Sequence, residues 1–468
     1  MATDPSELGA NSWLIDDMYQ QFRENPSAVS AEWQHYFASM GSPTVIDAAA
    51  YRDDTALGAA RDEPAPVAQS APVAPQAAVP PPAAPQPLAS TARPDSPTET
   101  APLAPGVTSK PMRGVSARIV ENMELSLGVP TATSYRQIPA RLLEVNRSVI
   151  NGYLGRTRQG KVSFTHLIGY ALMRALSEIP AMSKTFDLDE AGKPVVLTHE
   201  NVGLGLAVDS QKKDGSRSLL VPCIKGANQL DFEGFWKAYE VVIAKVRGNK
   251  LTVDDFAGVT ITLTNVGTIG TLQSVPRLMP GQSAIVGVGA IGFPAEFAGA
   301  DPDKLAEMGI SKVITISNTY DHRVVQGAES GQFLARMHQL LLGEDDFYDE
   351  MFASLNVPYE PVRWMRDRNP VDREASYLYK QMQVRKIVQM YRVRGHLIAD
   401  LDPLRLAPPC LHAELDPASY GLTIWDNDRE FLTDDLHGPD RMKFGDMLHV
   451  LRDAYCRTSG IEYMHISN

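Results

Sequence analysis

The chain has 468 residues, with 44 Lys and Arg against 56 Asp and Glu and a formal net charge of −12. That is long enough for two or three domains with a sizeable core, and the acidic balance argues against general nucleic-acid affinity. Acids precede any apolar run at the N-terminus, no stretch reaches the roughly 18 apolar residues of a membrane helix, and Cys223, Cys410 and Cys456 show no metal or redox spacing, so a cytoplasmic protein with reduced thiols is expected.

Asn11 to Met40 reads as two short helices. Trp13, Leu14, Met18 and Phe22 form an apolar stripe on the first; Pro26 and Ser27 punctuate; Trp33, Tyr36 and Phe37 follow on the second. So small a piece cannot bury its aromatics alone, which favours docking over a free-standing hairpin. Ala59 to Gly106 is dominated by alanine and proline and has no aromatic residue. It can build no core, so 42–106 is expected to be a disordered, extended linker.

Ordered structure is expected to resume with a helix at Arg113–Leu127 and another at Ile138–Tyr153. Ser163–Ile179 is a stronger helix: Phe164, Leu167, Ile168, Ala171, Leu172, Ala175 and Leu176 recur every three or four residues, and Pro180 stops it. His166 on this helix reads as a surface or boundary residue, not a ligand. Short strands follow at Val195–Leu197, Val202–Asp209 and Leu219–Ile224, with a charged tip at Ser210–Ser218 carrying Lys212, Lys213 and Arg217. A helix at Phe232–Val246 leads into a strand-rich segment from Leu251. Helix, strands, helix, strands describe a two-layer α/β domain.

Two later stretches carry candidate chemistry. In Ile261–Gly292 a strand bearing Thr262 and Thr264 runs into Asn265-Val-Gly267-Thr-Ile-Gly270, then a turn at Pro280-Gly281 and a second strand, Ala284–Val288. Threonine hydroxyls and amides freed by glycine can stabilise an oxyanion. In Ser311–Leu342 a strand of β-branched residues turns into a helix through Asp321-His322-Arg323-Val-Val-Gln326-Gly327. A histidine bracketed by opposite charges at such a junction can be fixed by its neighbours and titrates near neutrality, which suits proton transfer; taken alone, it is more often a structural hydrogen-bonding residue. Glu344–Glu350 reads as an acidic, solvated connector, and Gln381–Leu397 as a basic helix with Arg385, Lys386, Arg392 and Arg394 on a solvated face.

The two stretches together resemble the catalytic domain of the dihydrolipoamide acyltransferases, the E2 components of 2-oxo-acid dehydrogenase complexes. Asp321, His322, Arg323 and Gly327 match that family's D-H-R-x-x-D-G signature, with Gln326 in place of the second aspartate; Thr262, Thr264, Asn265 and Gly267 match its T-x-T/S-N-x-G segment. The likeness covers roughly Arg113 to Leu342. Asn11–Phe37 and Tyr377–Leu404 are similar to the N-terminal segment and helical opening of 2-oxoglutarate dehydrogenase E1, an order found in actinobacterial multifunctional 2-oxoglutarate metabolism proteins. The resemblance implies an E1-type helical segment over 1–41, a chloramphenicol-acetyltransferase-like domain over 107–343 and an incomplete thiamine-dependent E1 body over 344–468. It places His396 and Asp402 in that body without a catalytic role.

The resemblance further implies succinyl transfer from dihydrolipoamide to coenzyme A, with His322 as proton acceptor, Thr264 as oxyanion donor and Gln326 in place of an aspartate that organises the site. It implies a homo-oligomer, either trimer-based, since the family's active site lies between neighbouring subunits of a trimer, or dimeric, since E1 bodies form dimers. Lys212, Lys213 and Arg217 could then meet coenzyme A phosphates, although a solvated tip remains the simpler reading. No Gly-Asp-Gly occurs, so thiamine diphosphate and Mg2+ are implied for a full-length protein but not for these residues. Asp303-Lys304 reads as a helix start and not a lipoyl hairpin. The acyl carrier is therefore expected from an external lipoylated acyltransferase, with dihydrolipoamide dehydrogenase and a forkhead-associated-domain inhibitor as further partners and no nucleic acid or membrane. The rival readings are a catalytically silent scaffold of acyltransferase fold that assembles E1 bodies and, less favoured by the E1-like flanks, a small-molecule acetyltransferase.

Overall fold

The computed structural model describes residues 108, 115–157, 159–211, 217–248, 250–367, 373–402, 404, 406, 410–433, 436 and 438–461. All lie in one compact unit, Pro102–Asn468. The helical segment expected near the N-terminus, the Ala/Pro-rich stretch and Lys212–Lys213 lie outside the described residues.

In chain order the elements are α1 (Val115–Ser126), β1 (Thr131–Pro139), α2 (Arg141–Thr157), α3 (Phe164–Glu178), β2 (Lys184–Leu188), β3 (Pro194–Thr198), β4 (Leu204–Gln211), β5 (Arg217–Leu220), β6 (Cys223–Ile224), α4 (Phe232–Arg247), β7 (Ile261–Asn265), β8 (Ala284–Val288), α5 (Pro302–Glu307), β9 (Val313–Asp321), α6 (Gly327–Leu341), α7 (Phe347–Ser354), α8 (Arg373–Arg394), β10 (Glu430–Leu432), β11 (Arg441–Lys443) and α9 (Phe444–Tyr455).

A seven-stranded mixed sheet runs β1-β9-β8-β7-β4-β5, with β6 also on β4. β7 is parallel to β8 and to β4; β9 is antiparallel to both β8 and β1. Alternation along each strand sorts side chains to two faces. Ile261, Leu263, Ala284, Val286, Val288, Ile314, Ile316 and Tyr320 join the main core with residues of α2, α3, α4 and α6. On the other face Thr262, Thr264, Gly287, Ser317, Thr319 and Asp321 make a row of small and polar groups, beside a separate cluster of Val129, Leu278 and Ile285. The main core continues without a break into α7, α8 and α9. Arg141 reaches Asp428 at 2.9 Å, and Asn146 exchanges hydrogen bonds of 3.0 and 2.8 Å with the backbone of Val362.

Several expectations need correction. Thr131–Pro139 is a strand, and α2 starts only at Arg141, because the β-branched and aromatic residues Thr131, Thr133 and Tyr135 pair with β9. Leu219–Ile224 divides into β5 and β6 around Pro222, which can donate no ladder hydrogen bond. Leu251–Asp254 leads into a 3-10 turn, not a strand. The expected acidic connector is a 3-10 turn over Glu344–Asp346 and then the start of α7, whose Phe347, Tyr348, Met351 and Phe352 are buried. His166 is fully buried: it accepts from the Ser163 amide through Nδ1 at 3.0 Å, and its own amide donates back to the Ser163 hydroxyl. Burial, with Arg147 nearby, lowers its pKa to about 4. Nε2 lies 3.3 Å from Glu240, but protonating Nδ1 would break the cap, so the neutral ring prevails.

Candidate active site

The Asp321-His322-Arg323 turn sits where β9 ends. Asp321 is almost wholly buried, and its carboxylate accepts from Arg323 through the backbone amide at 3.0 Å, Nε at 2.9 and 3.1 Å and Nη2 at 2.6 Å. A buried carboxylate needs such partners. The Val324 and Val325 amides close on the Asp321 carbonyl, and the His322 amide donates to the carbonyl of Pro130 at 2.9 Å. His322 is therefore pinned through its backbone while its side chain is exposed. Its ring lies 5.6 Å from that of Tyr320 and makes no hydrogen bond among the described residues. The expectation that neighbours fix the ring is not met within one chain.

Gln326 is exposed at the N-cap of α6, where its amide donates to Glu329 at 2.7 Å. Among the described residues no hydrogen bond joins it to Arg323. Asn318, buried on β9, donates to Ser330 at 2.8 Å, while its Oδ1 lacks a partner among the described residues.

Thr264 lies near the end of β7, half-buried, and its hydroxyl has no hydrogen-bond partner among the described residues. The following turn is rigid. Asn265 donates to Thr165 at 2.8 Å and accepts from the Gly267 amide at 3.1 Å. At Gly267 a Cβ would fall 2.2 Å from the Gly289 carbonyl oxygen, and Gly270 has φ +87°, so both positions demand glycine. Thr262 is spent on Gln282 at 2.9 Å, which leaves Thr264 as the available hydroxyl of the pair.

The register separates the two candidate groups. Thr264 pairs with Gly287, and Gly287 with Ser317. His322 lies five residues beyond Ser317 on the antiparallel strand, so strand rise and spacing put roughly 20 Å between the groups within one chain. Hydrogen-bond reach is about 3 Å.

A cavity of about 360 Å³ between α2 and the C-terminal segment, lined by Arg141, Lys312, Asp428 and Arg452 among others, includes none of the predicted site residues. Sequence reasoning missed Pro130 and Phe186, whose ring lies 3.7 Å from the Arg323 guanidinium carbon; no local motif marks either. The described residues hold no group of three His, Cys, Asp or Glu fit for a metal ion. Gly-Asp-Gly is likewise absent from the sequence, and no described residue is assigned to thiamine diphosphate or its Mg2+.

A mixed sheet with helices packed on one face and the Asp-His-Arg turn at a strand end defines a two-layer α/β domain of the chloramphenicol-acetyltransferase-like class. The model of the 2-oxoacid dehydrogenases acyltransferase (catalytic domain) matches residues 104–347, slightly more than half of the chain, and the chain belongs to that family. The model of the 2-oxoglutarate dehydrogenase N-terminus matches residues 8–44.

Among relatives, the multifunctional 2-oxoglutarate metabolism enzyme of Mycobacterium sp. (strain KMS) is 45% identical over 100% of this chain and 39% of its own length. That of Mycolicibacterium vanbaalenii is 46% identical over 99% and 38%. The chain thus spans well under half the length of these relatives. A probable dihydrolipoamide acetyltransferase of Listeria monocytogenes is 23% identical, covers 51% of this chain and 95% of its own, and has a TM-score of 0.44. The acetyltransferase of Azotobacter vinelandii is 25% identical over 52% and 96%, with a TM-score of 0.42. No helix among the described residues is long and apolar enough to cross a membrane.

Proposed function

We propose that this chain transfers a succinyl group from S-succinyldihydrolipoamide to coenzyme A. Membership in the acyltransferase family supports the reaction class, and the 2-oxoglutarate in the names of relatives at 45–46% identity supports the succinyl group. The observation that carries the reading is the pinned backbone and exposed ring of His322.

In this reading the imidazole of His322 takes the proton of the coenzyme A thiol. An unperturbed thiol has a pKa of about 8.5, so a positioned base raises the thiolate fraction at neutral pH. The thiolate sulfur bonds to the succinyl carbonyl carbon, and the carbonyl electrons move to oxygen. The Thr264 hydroxyl donates to that oxyanion. Collapse breaks the bond to the dihydrolipoyl sulfur, which takes the proton back from the imidazolium. A separation of roughly 20 Å within one chain is compatible with this chemistry when His322 of one copy works with Thr264 of another, in a homo-oligomer with sites between protomers. Gln326 in place of the usual aspartate keeps hydrogen-bonding capacity without charge.

The acyl group arrives on an external lipoylated acyltransferase, with dihydrolipoamide dehydrogenase downstream and a forkhead-associated-domain protein as inhibitor, all in the cytoplasm. The segment Asn11 to Met40 serves docking, and a full-length protein also decarboxylates 2-oxoglutarate oxidatively with thiamine diphosphate and Mg2+. The working division is 1–41, 42–106, 107–343 and 344–468. Calorimetry with coenzyme A, paired with an assay of succinyl transfer, tests the reading: binding in the micromolar-to-millimolar range with turnover is expected. Absence of both would leave the silent scaffold.

A further inference from the structure

The β2–β3 hairpin forms a two-stranded sheet of its own, apart from the main one. It is anchored at its start by the fully buried Met182 and across its base by a 2.8 Å hydrogen bond between Thr185 and His199. Leu188, Val196 and Leu197 are exposed, so the hairpin adds little to the core. Phe186 nevertheless lies with its ring 3.7 Å from the guanidinium carbon of Arg323, while that guanidinium is clamped edge-on by Asp321. Asp321 and Arg323 flank His322 in the chain.

We propose that Phe186 is a positioning residue for the proton acceptor: it holds the face of Arg323 and thereby fixes the Asp321–Arg323 clamp, and with it the backbone from which the His322 ring projects. The inference rests on the acyl-transfer reading for its effect on turnover, but not for its effect on geometry. The aromatic face offers a cation an attraction that an aliphatic side chain of similar bulk lacks. It also removes one side of the guanidinium from water, which strengthens the hydrogen bonds to Asp321. Arg323 has no other partner among the described residues that could replace it.

The test compares Phe186→Leu with Phe186→Tyr in the full chain, measuring kcat and KM for succinyl transfer and the ring carbon–proton resonance of His322, assigned by its loss in His322→Gln. Phe186→Leu is expected to lower kcat by roughly three- to thirty-fold with KM for coenzyme A little changed, and to shift the His322 resonance; Phe186→Tyr should preserve both. Unaltered far-ultraviolet circular dichroism in Phe186→Leu separates the effect from unfolding; if that variant does not fold, Phe186→Met is read in its place. An unchanged His322 resonance in the folded aliphatic variant overturns the inference whether or not the protein turns over. A shifted resonance in a protein without transfer activity supports the positioning role and sinks the transfer reading instead.

Discussion

Replacing His322 by alanine is expected to lower succinyl transfer to coenzyme A by about a hundred- to ten-thousand-fold, the range for loss of a positioned general base. The loss should fall on kcat, since the proton is transferred as the new bond forms. Stability should hardly move, because the ring is exposed and the backbone amide bonded to Pro130 is retained. Steady-state kinetics beside a thermal melt check both halves. Unaltered turnover would remove His322 from the chemistry and leave the turn as a helix-entry structure.

The second large effect is expected at Thr264. Thr264→Val keeps the β-branched shape that suits β7 and removes only the hydroxyl, so the strand should stand. One lost oxyanion donor lowers kcat by about a hundred- to a thousand-fold, or roughly 3 kcal/mol of transition-state stabilisation. Thr264→Ser should keep most of the rate. If valine and serine behave alike, the hydroxyl does not meet the oxyanion.

The candidate segments were legible because each is local. The Asp-His-Arg turn, the Thr-x-Thr-Asn-x-Gly strand end, β8 and the apolar stripe of α3 are written in consecutive residues. The failures have a shared cause in long-range contact. The helix expected from Ile138 takes in the end of β1, and the rest of that strand goes unread, because its strand character depends on β9, some 180 positions away. The acidic run at Glu344–Glu350 hides an amphipathic helix whose Phe347 and Met351 complete a core built earlier in the chain. Phe186 could not be found from sequence, since nothing near it announces a guanidinium. The distance between His322 and Thr264 within one chain was equally absent from the residues: each sits in its own motif, and only the register of β7, β8 and β9 sets them at opposite ends.

That separation gives the account its most direct test. His322→Ala and Thr264→Val chains, each inactive alone, can be co-expressed with different tags and isolated as mixed oligomers. If a site takes its imidazole from one copy and its hydroxyl from the next, each mixed trimer carries one intact site in three, roughly a third of the unsubstituted rate. Mixed oligomers no more active than either variant by itself would contradict a shared site, and with it the assignment of these two residues to one reaction.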